Sequence, residues 1–139
     1  MNGVENTSEA KAVARRVLEE IFPANDEDAL REVISDQFVN HDSPRGTPTG
    51  PAGITRFMKM LNQAFSQQQW QIHDVIADGD KVVLRCTHRG VHTGDWFGIP
   101  ATGRPFAYQQ MHIVRIVEGK TVEHWEVRDD ATLMRQLTS

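Results

Sequence analysis

His112 and Glu126 are the residues of this sequence whose side chains could together move a proton on and off carbon. A carboxylate removes a proton alpha to a carbonyl when its own pKa is raised and a neighbour steadies the resulting enolate. Burial raises a carboxylate's pKa and an adjacent imidazolium lowers it again, so such a pair can be poised near working pH. In that role Glu126 is the base, and His112 orients it or donates to the enolate oxygen. The plainer alternative is a cross-strand polar pair at the wet end of a sheet.

For the two to meet, residues 108–126 must form a β-hairpin in one particular register. Phe106, Tyr108, Gln110, His112, Val114 and Ile116 alternate with a period of two. On the return strand Val122, His124, Glu126 and Arg128 share one side, and Thr121, Glu123, Trp125 and Val127 the other. A two-residue turn at Glu118-Gly119 alone sets His112 opposite Trp125. One extra residue, as in a bulge, sets Ile116 opposite Val122, Arg115 opposite Glu123, Val114 opposite His124, Ile113 opposite Trp125 and His112 opposite Glu126. Opposed charges and apolar pairs each contribute roughly 0.2–1 kcal/mol, and a one-residue slip forfeits the set. The bulged register is therefore predicted.

Tyr108 and Gln110 share the face of His112 and are candidate hydrogen-bonding walls of a binding site, although Tyr108 also fits an amphipathic core position. His88 is a further candidate contact for a substrate. His88 and His92 are four apart, but on a strand that spacing is roughly 13 Å, so they are not a chelate. A set of His41, His112 and Glu126 would have the two-His, one-carboxylate composition of non-haem iron sites; no spacing enforces it, and no metal is expected. His124 reads as a packed histidine under the site. Trp96, Phe97 and Ile99 make the 94–105 loop apolar and either cap a cavity or pack into a subunit interface. Trp125 and Val127, on the other face of the sheet, favour an interface and hence a homodimer.

At 139 residues the chain is one domain in length, with a core of useful size. Its 15 basic and 19 acidic residues give a net charge of -4, without the clustered Lys/Arg of a nucleic-acid footprint. A single cysteine excludes an intrachain disulfide and fits a reducing, cytoplasmic setting. No apolar run approaches a membrane span, and the polar N-terminus lacks the order of a signal peptide.

Along the chain, residues 1–7 read as a frayed tail and 8–139 as a single domain. Thr7 or Ser8 can cap a helix carrying Val13, Val17, Leu18 and Ile21 that ends before Pro23. Asn25 or Asp26 starts a second, and Pro51 opens a third carrying Ile54, Phe57, Met58, Leu61 and Phe65. Between them residues 36–44 are a short extended piece. Strands follow over 70–77 and 81–93, then the hairpin, with a closing helical turn capped by Asp129 or Asp130. Helices first and hairpin-linked strands after predict an α+β fold, helices on one face of a curved antiparallel sheet.

The segments "FVNHDSP", "GDWFGIPATGRPF" and "MHIVRIVEGKTVEHWEV" resemble the SnoaL-like polyketide cyclases of the NTF2-like superfamily, over roughly residues 8–137. The resemblance implies a cone of three N-terminal helices on a curved sheet around an internal cavity. It also implies cofactor-free intramolecular aldol condensation on a small, hydrophobic, oxygenated substrate, and a homodimer. It carries the family's His and acid onto His112 and Glu126, puts His41 in the pocket against a substrate oxygen, and leaves open that His41 bonds only its own loop. Glu126 stands where the family pattern has Asp. The extra methylene moves the carboxylate by about an ångström, a displacement that can cost on the order of 100-fold in rate.

Rival readings within the same fold are a ketosteroid isomerase and an epoxide hydrolase. The first helix has no Tyr to supply the isomerase's oxyanion donor, and no Asp-Arg-Asp set is evident for the hydrolase. A non-catalytic binder of hydrophobic ligands would use the same cavity.

Overall fold

The computed structural model describes residues 3–138. Part of the expected 1–7 tail and the final residue lie outside the described residues; α1 (Gly3–Arg16) is helical from Gly3, so neither Thr7 nor Ser8 begins it. The helix then widens into a π-helical turn (Val17–Ile21), with the Phe22 N–H bonded to the Val17 carbonyl, and closes in α2 (Phe22–Ala24). Pro23, which has no N–H to continue the ladder, follows directly. The turn buries Leu18 and Ile21. Asn25 ends α2 in the left-handed region, and Asp26 caps α3 (Glu27–Val33) by accepting from the Ala29 N–H at 3.1 Å.

β1 (Ile34–Asn40) leads by a turn-rich loop to α4 (Pro51–Ala64), with Pro at its first position. β2 (Phe65–Asp78), β3 (Lys81–His92), β4 (Pro105–Val117) and β5 (Lys120–Arg128) follow, and α5 (Asp130–Thr138) ends the chain. The sheet runs β1-β5-β4-β3-β2. This is the α+β, NTF2-like architecture expected, with two differences. The strand expected from residue 70, β2, begins at Phe65. In addition, β1 joins the edge parallel to β5, pairing Asn40 with His124, so the sheet is not wholly antiparallel.

The hairpin register is as predicted from Gln110 to Arg115: His112 opposes Glu126, Ile113 opposes Trp125, and Arg115 opposes Glu123. The extra residue lies elsewhere than expected. Glu118 and Gly119 form a tight turn with φ of 51° and 78°, Ile116 opposes Thr121 rather than Val122, and Val122 is the bulged residue. Parity therefore changes at the bulge. Thr121, His124, Glu126 and Arg128 all reach the inner face, and Thr121 is buried. Two more register shifts in β2 (one where Gln67 has a φ of 53°) bend the sheet.

The core lies between helices and sheet and includes Leu18, Ile21, Leu30, Met58, Phe65 and Leu84. The 94–104 loop is fastened to the end of α4, where the N–H groups of Thr93 and Gly94 both donate to the Ala64 carbonyl at 2.9 Å. Gly94 is obligatory there, since a Cβ would sit 2.0 Å from the Gln63 carbonyl oxygen.

Candidate functional site

A pocket opens between the inner face of the sheet and the helices. Its helical wall is apolar, with Val17, Leu18 and Phe22 from the π turn and α2, and Ile54, Phe57 and Leu61 from α4. Ile34 and Phe38 of β1 continue that wall. The polar groups converge from the sheet: Tyr108, Gln110 and His112 of β4, His124, Glu126 and Arg128 of β5, and Asn40 of β1. An apolar pouch with a few convergent polar groups is the usual form of a small-molecule site.

Cross-strand pairing brings His112 and Glu126 together, with Nδ1 3.6 Å from Oε2. The other carboxylate oxygen is 3.6 Å from Nη1 of Arg128. Neither contact is short enough to be a hydrogen bond, so the carboxylate keeps its lone pairs free although its side chain is only 10% exposed. Burial pushes its pKa up to about 7; Arg128 pulls it down, and Asp42 and Asp130 add to the rise. Asp42 also holds this stretch of β5 by accepting from the Glu126 N–H. Such a carboxylate can accept a proton from carbon near neutral pH.

His112 is bonded on both sides. Its Nε2 lies 2.7 Å from Gln110 Oε1, and its Nδ1 2.9 Å from His124 Nε2. His124 Nδ1 is in turn 3.0 Å from Asn40 Oδ1. Burial holds both imidazoles below the usual histidine range, His112 well below it and His124 to about 4. Gln110 donates from Nε2 to Tyr108 Oη at 2.9 Å, and that hydroxyl meets His88 Nδ1 at 2.9 Å. A continuous polar chain therefore crosses four strands, β1, β5, β4 and β3, beneath the pocket.

Of the sequence candidates, His112, Glu126, Tyr108 and Gln110 line the pocket together. Three others do not. His88 is fully buried below the lining, stacked on Trp70 with ring centres 4.0 Å apart, and burial lowers its pKa to about 3. Its inward position on β3 places it behind Tyr108 and Gln68 rather than at the surface of the pocket. Trp96 is buried against Phe65, 4.9 Å between centres, in a loop folded on itself by a Trp96–Ile99 bridge. That loop is tied to the end of α4 by Thr93 and Gly94, and this fixes Trp96 in the core. His41 stacks on Trp125 at 4.7 Å and bonds Glu123 at 2.9 Å. Both partners lie on the outer face, because Asn40 points inward beside His124 and His41, bonded through its N–H to the His124 carbonyl, is the next residue along the edge.

The sequence reading missed the partnership of His124 with His112, and missed Asn40 and Arg128 as lining. The signal for two of them was present: His124, Glu126 and Arg128 alternate along one strand. Asn40 carried no local signal. The metal-like set of His41, His112 and Glu126 is not assembled. Among the described residues His112, His124 and Glu126 do bring donor atoms within 4.8 Å of one another, but the two nitrogens face each other instead of a common centre.

Comparison with known proteins agrees with this fold. Residues 12–137 match the family described as SnoaL-like polyketide cyclase. The aklanonic acid methyl ester cyclase DnrD of Streptomyces peucetius is 30% identical over 128 residues, covering 90% of this chain and 88% of the relative. The nogalonic acid methyl ester cyclase of Streptomyces nogalater is 29% identical over 113 residues, 79% of this chain and 84% of that one. Among solved structures, IdmH of Streptomyces antibioticus superposes with a TM-score of 0.81 at 30% identity, covering 94% and 99% of the two chains. TsrD of Streptomyces laurentii shares the fold at a TM-score of 0.86 and 24% identity, covering 94% and 96%.

Proposed function

The chain belongs to the SnoaL-like polyketide cyclases, and from that premise we propose that it closes a ring by intramolecular aldol condensation, without a cofactor, on an apolar polyketone. Glu126 takes the proton from the carbon between two carbonyls. The enolate carbon then attacks a ketone of the same molecule, and the alkoxide that forms regains a proton. His112 and Arg128 lower the energy of the developing negative charge, and the apolar wall from α4 and the π turn holds the rings. Tyr108 and Gln110 orient the oxygen-bearing edge. The observation that supports this reading is a buried carboxylate with a raised pKa and no hydrogen bond, facing an apolar pouch beside an imidazole and a guanidinium.

The test is turnover of aklanonic acid methyl ester, the substrate class named by the relatives, followed by mass-balanced chromatography of the cyclised product. Glu126→Gln is expected to bind the ester with little change and to lose about 10²–10⁴-fold in kcat, the usual worth of a general base. Binding with no turnover by the unaltered protein would leave the non-catalytic binder as the better reading.

The proposal extends to a homodimer through the outer face of the sheet, where Met111, Ile113 and Val127 are exposed, and to a cytoplasmic setting without membrane or nucleic-acid partners. Cys86 is buried with its thiol pushed up to about 12, and among the described residues no helix is long and apolar enough to cross a membrane.

A further inference from the structure

We infer that His112 and His124 share one proton on the line between them, forming a single monocation beside Glu126, and that His124 is a positioning residue acting on Glu126 through it. The catalytic consequence rests on the function proposed above; the protonation itself does not.

The hydrogens along this chain of side chains can be counted. Trp70 Nε1 can only donate, and it lies 3.2 Å from Gln110 Oε1, so that atom is the amide oxygen and accepts. His112 Nε2, 2.7 Å from the same oxygen, must therefore carry hydrogen. At the other end the backbone N–H of Asp42 donates to Asn40 Oδ1 at 3.1 Å, which fixes that atom as an acceptor too. His124 Nδ1, 3.0 Å from it, must also carry hydrogen. A neutral imidazole has one N–H, and both are now used. The remaining nitrogens would be two bare lone pairs 2.9 Å apart, a separation at which one hydrogen must lie between them.

The ring geometry fits a proton better than an ion. The ring centres are 5.2 Å apart and the planes within 26°. The centre separation exceeds that of the nitrogens by about a ring diameter, which puts the nitrogens head-on. Two ligands of one ion would meet at an angle and draw the rings closer.

The charged surroundings favour one extra proton and no more. Glu126 Oε2 lies 3.6 Å from the bridge, and Asp42 adds attraction at His124. Arg128 opposes a charge on either ring, His88 of β3 one on His112, and His41 one on His124. The helices contribute only apolar side chains to the lining. Burial depresses each imidazole taken as a separate base, but the two facing lone pairs 2.9 Å apart hold one proton jointly, and with Glu126 ionised the three groups are neutral together.

The test is 15N NMR of histidine-labelled wild-type protein without substrate. At neutral pH, His112 Nε2 and His124 Nδ1 should be protonated, with intermediate shifts at the two facing nitrogens and one strongly downfield proton. A bare outer nitrogen, or two ordinary neutral rings, overturns the inference. A stoichiometric metal ion that a chelator removes also overturns it. The second arm uses His124→Gln, whose amide can donate to His112 Nδ1 and dispense with the third proton. Losing an opposite charge at this range should raise the acid limb of kcat/KM by roughly 1–3 pH units, with KM little changed; an unmoved limb sinks the positioning role. A shared proton in a protein that turns over no polyketone would leave this inference standing and remove the proposed function instead.

Discussion

His112 and Glu126 stand directly opposite each other on β4 and β5, yet their nearest atoms, Nδ1 and Oε2, are 3.6 Å apart rather than bonded. Each side chain is held by other means: the imidazole by Gln110 and His124, and the glutamate's backbone by Asp42. The carboxylate is thus fixed at its root and open at its tip, as an acceptor of protons from a bound molecule should be.

Shortening that side chain is the first prediction. Glu126→Asp keeps the charge but draws the carboxylate back by about an ångström, and misplacement on that scale costs on the order of 100-fold in rate. Steady-state kinetics on the cyclisation should show kcat falling while KM holds. A rate equal to that of the unaltered protein would mean that the pocket does not depend on the longer acid.

The pH profile gives a second. Burial, with Asp42 and Asp130 adding to it and Arg128 opposing it, carries Glu126 to about 7, so the acid limb of kcat/KM should lie at or below about pH 7, with activity lost as the carboxylate protonates. In Glu126→Gln that limb should vanish from whatever slow turnover remains.

Stability should respond to a different histidine. The folded-state pKa of His88 is depressed to about 3, below the ordinary value of 6.5, because burial disfavours its charged form. Its contribution is therefore complete above pH 6.5 and is lost progressively as pH falls toward 3. Chemical denaturation at stepped pH should show the loss across that window. In His88→Phe the slope should flatten, at a cost near neutral pH of roughly 1–3 kcal/mol for stranding Tyr108 and Gln68.

Gly94→Ala tests the anchoring of the 94–104 loop. The added methyl would lie 2.0 Å from a backbone oxygen that cannot swing aside, and the expected loss is on the order of 2–4 kcal/mol. Thermal melting reads it directly; an unchanged Tm would mean the loop shifts freely.

The outer face supplies the last prediction. Val127 is 76% exposed, so Val127→Glu should leave folding intact while converting a dimer to a monomer in sedimentation equilibrium. A monomeric unaltered protein would dispose of the dimer.

Much of this site was legible because the hairpin carries its own register marks. Arg115 against Glu123 and Ile113 against Trp125 admit one alignment, and that alignment sets His112 against Glu126. The alignment required one extra residue without saying where, so the bulge was misplaced and Thr121, not Val122, proved buried. Phe65 follows Leu61 by four and fits the helix pattern, although it opens β2. His41 was misread for a nonlocal reason. The docking of β1 against a strand more than eighty positions later decides which face its end presents, and no neighbouring residue encodes that. Trp96 was read as facing the cavity or an interface, but the loop's ties to Ala64 turn it into the core.

Asn40 reaches His124, and Asp42 reaches Glu126, each across 84 positions of chain. The four-strand meander could form from hairpin contacts alone, whereas this parallel edge must close the longest loop in the sheet, the slow kind of step in folding. The proposed activity would then be acquired at the end of maturation: a chain stalled with β1 undocked would have Glu126 wetted and the His112–His124 contact unanchored. Regain of the proposed turnover after dilution from denaturant should accordingly lag behind regain of sheet content, a built-in check that only finished molecules act.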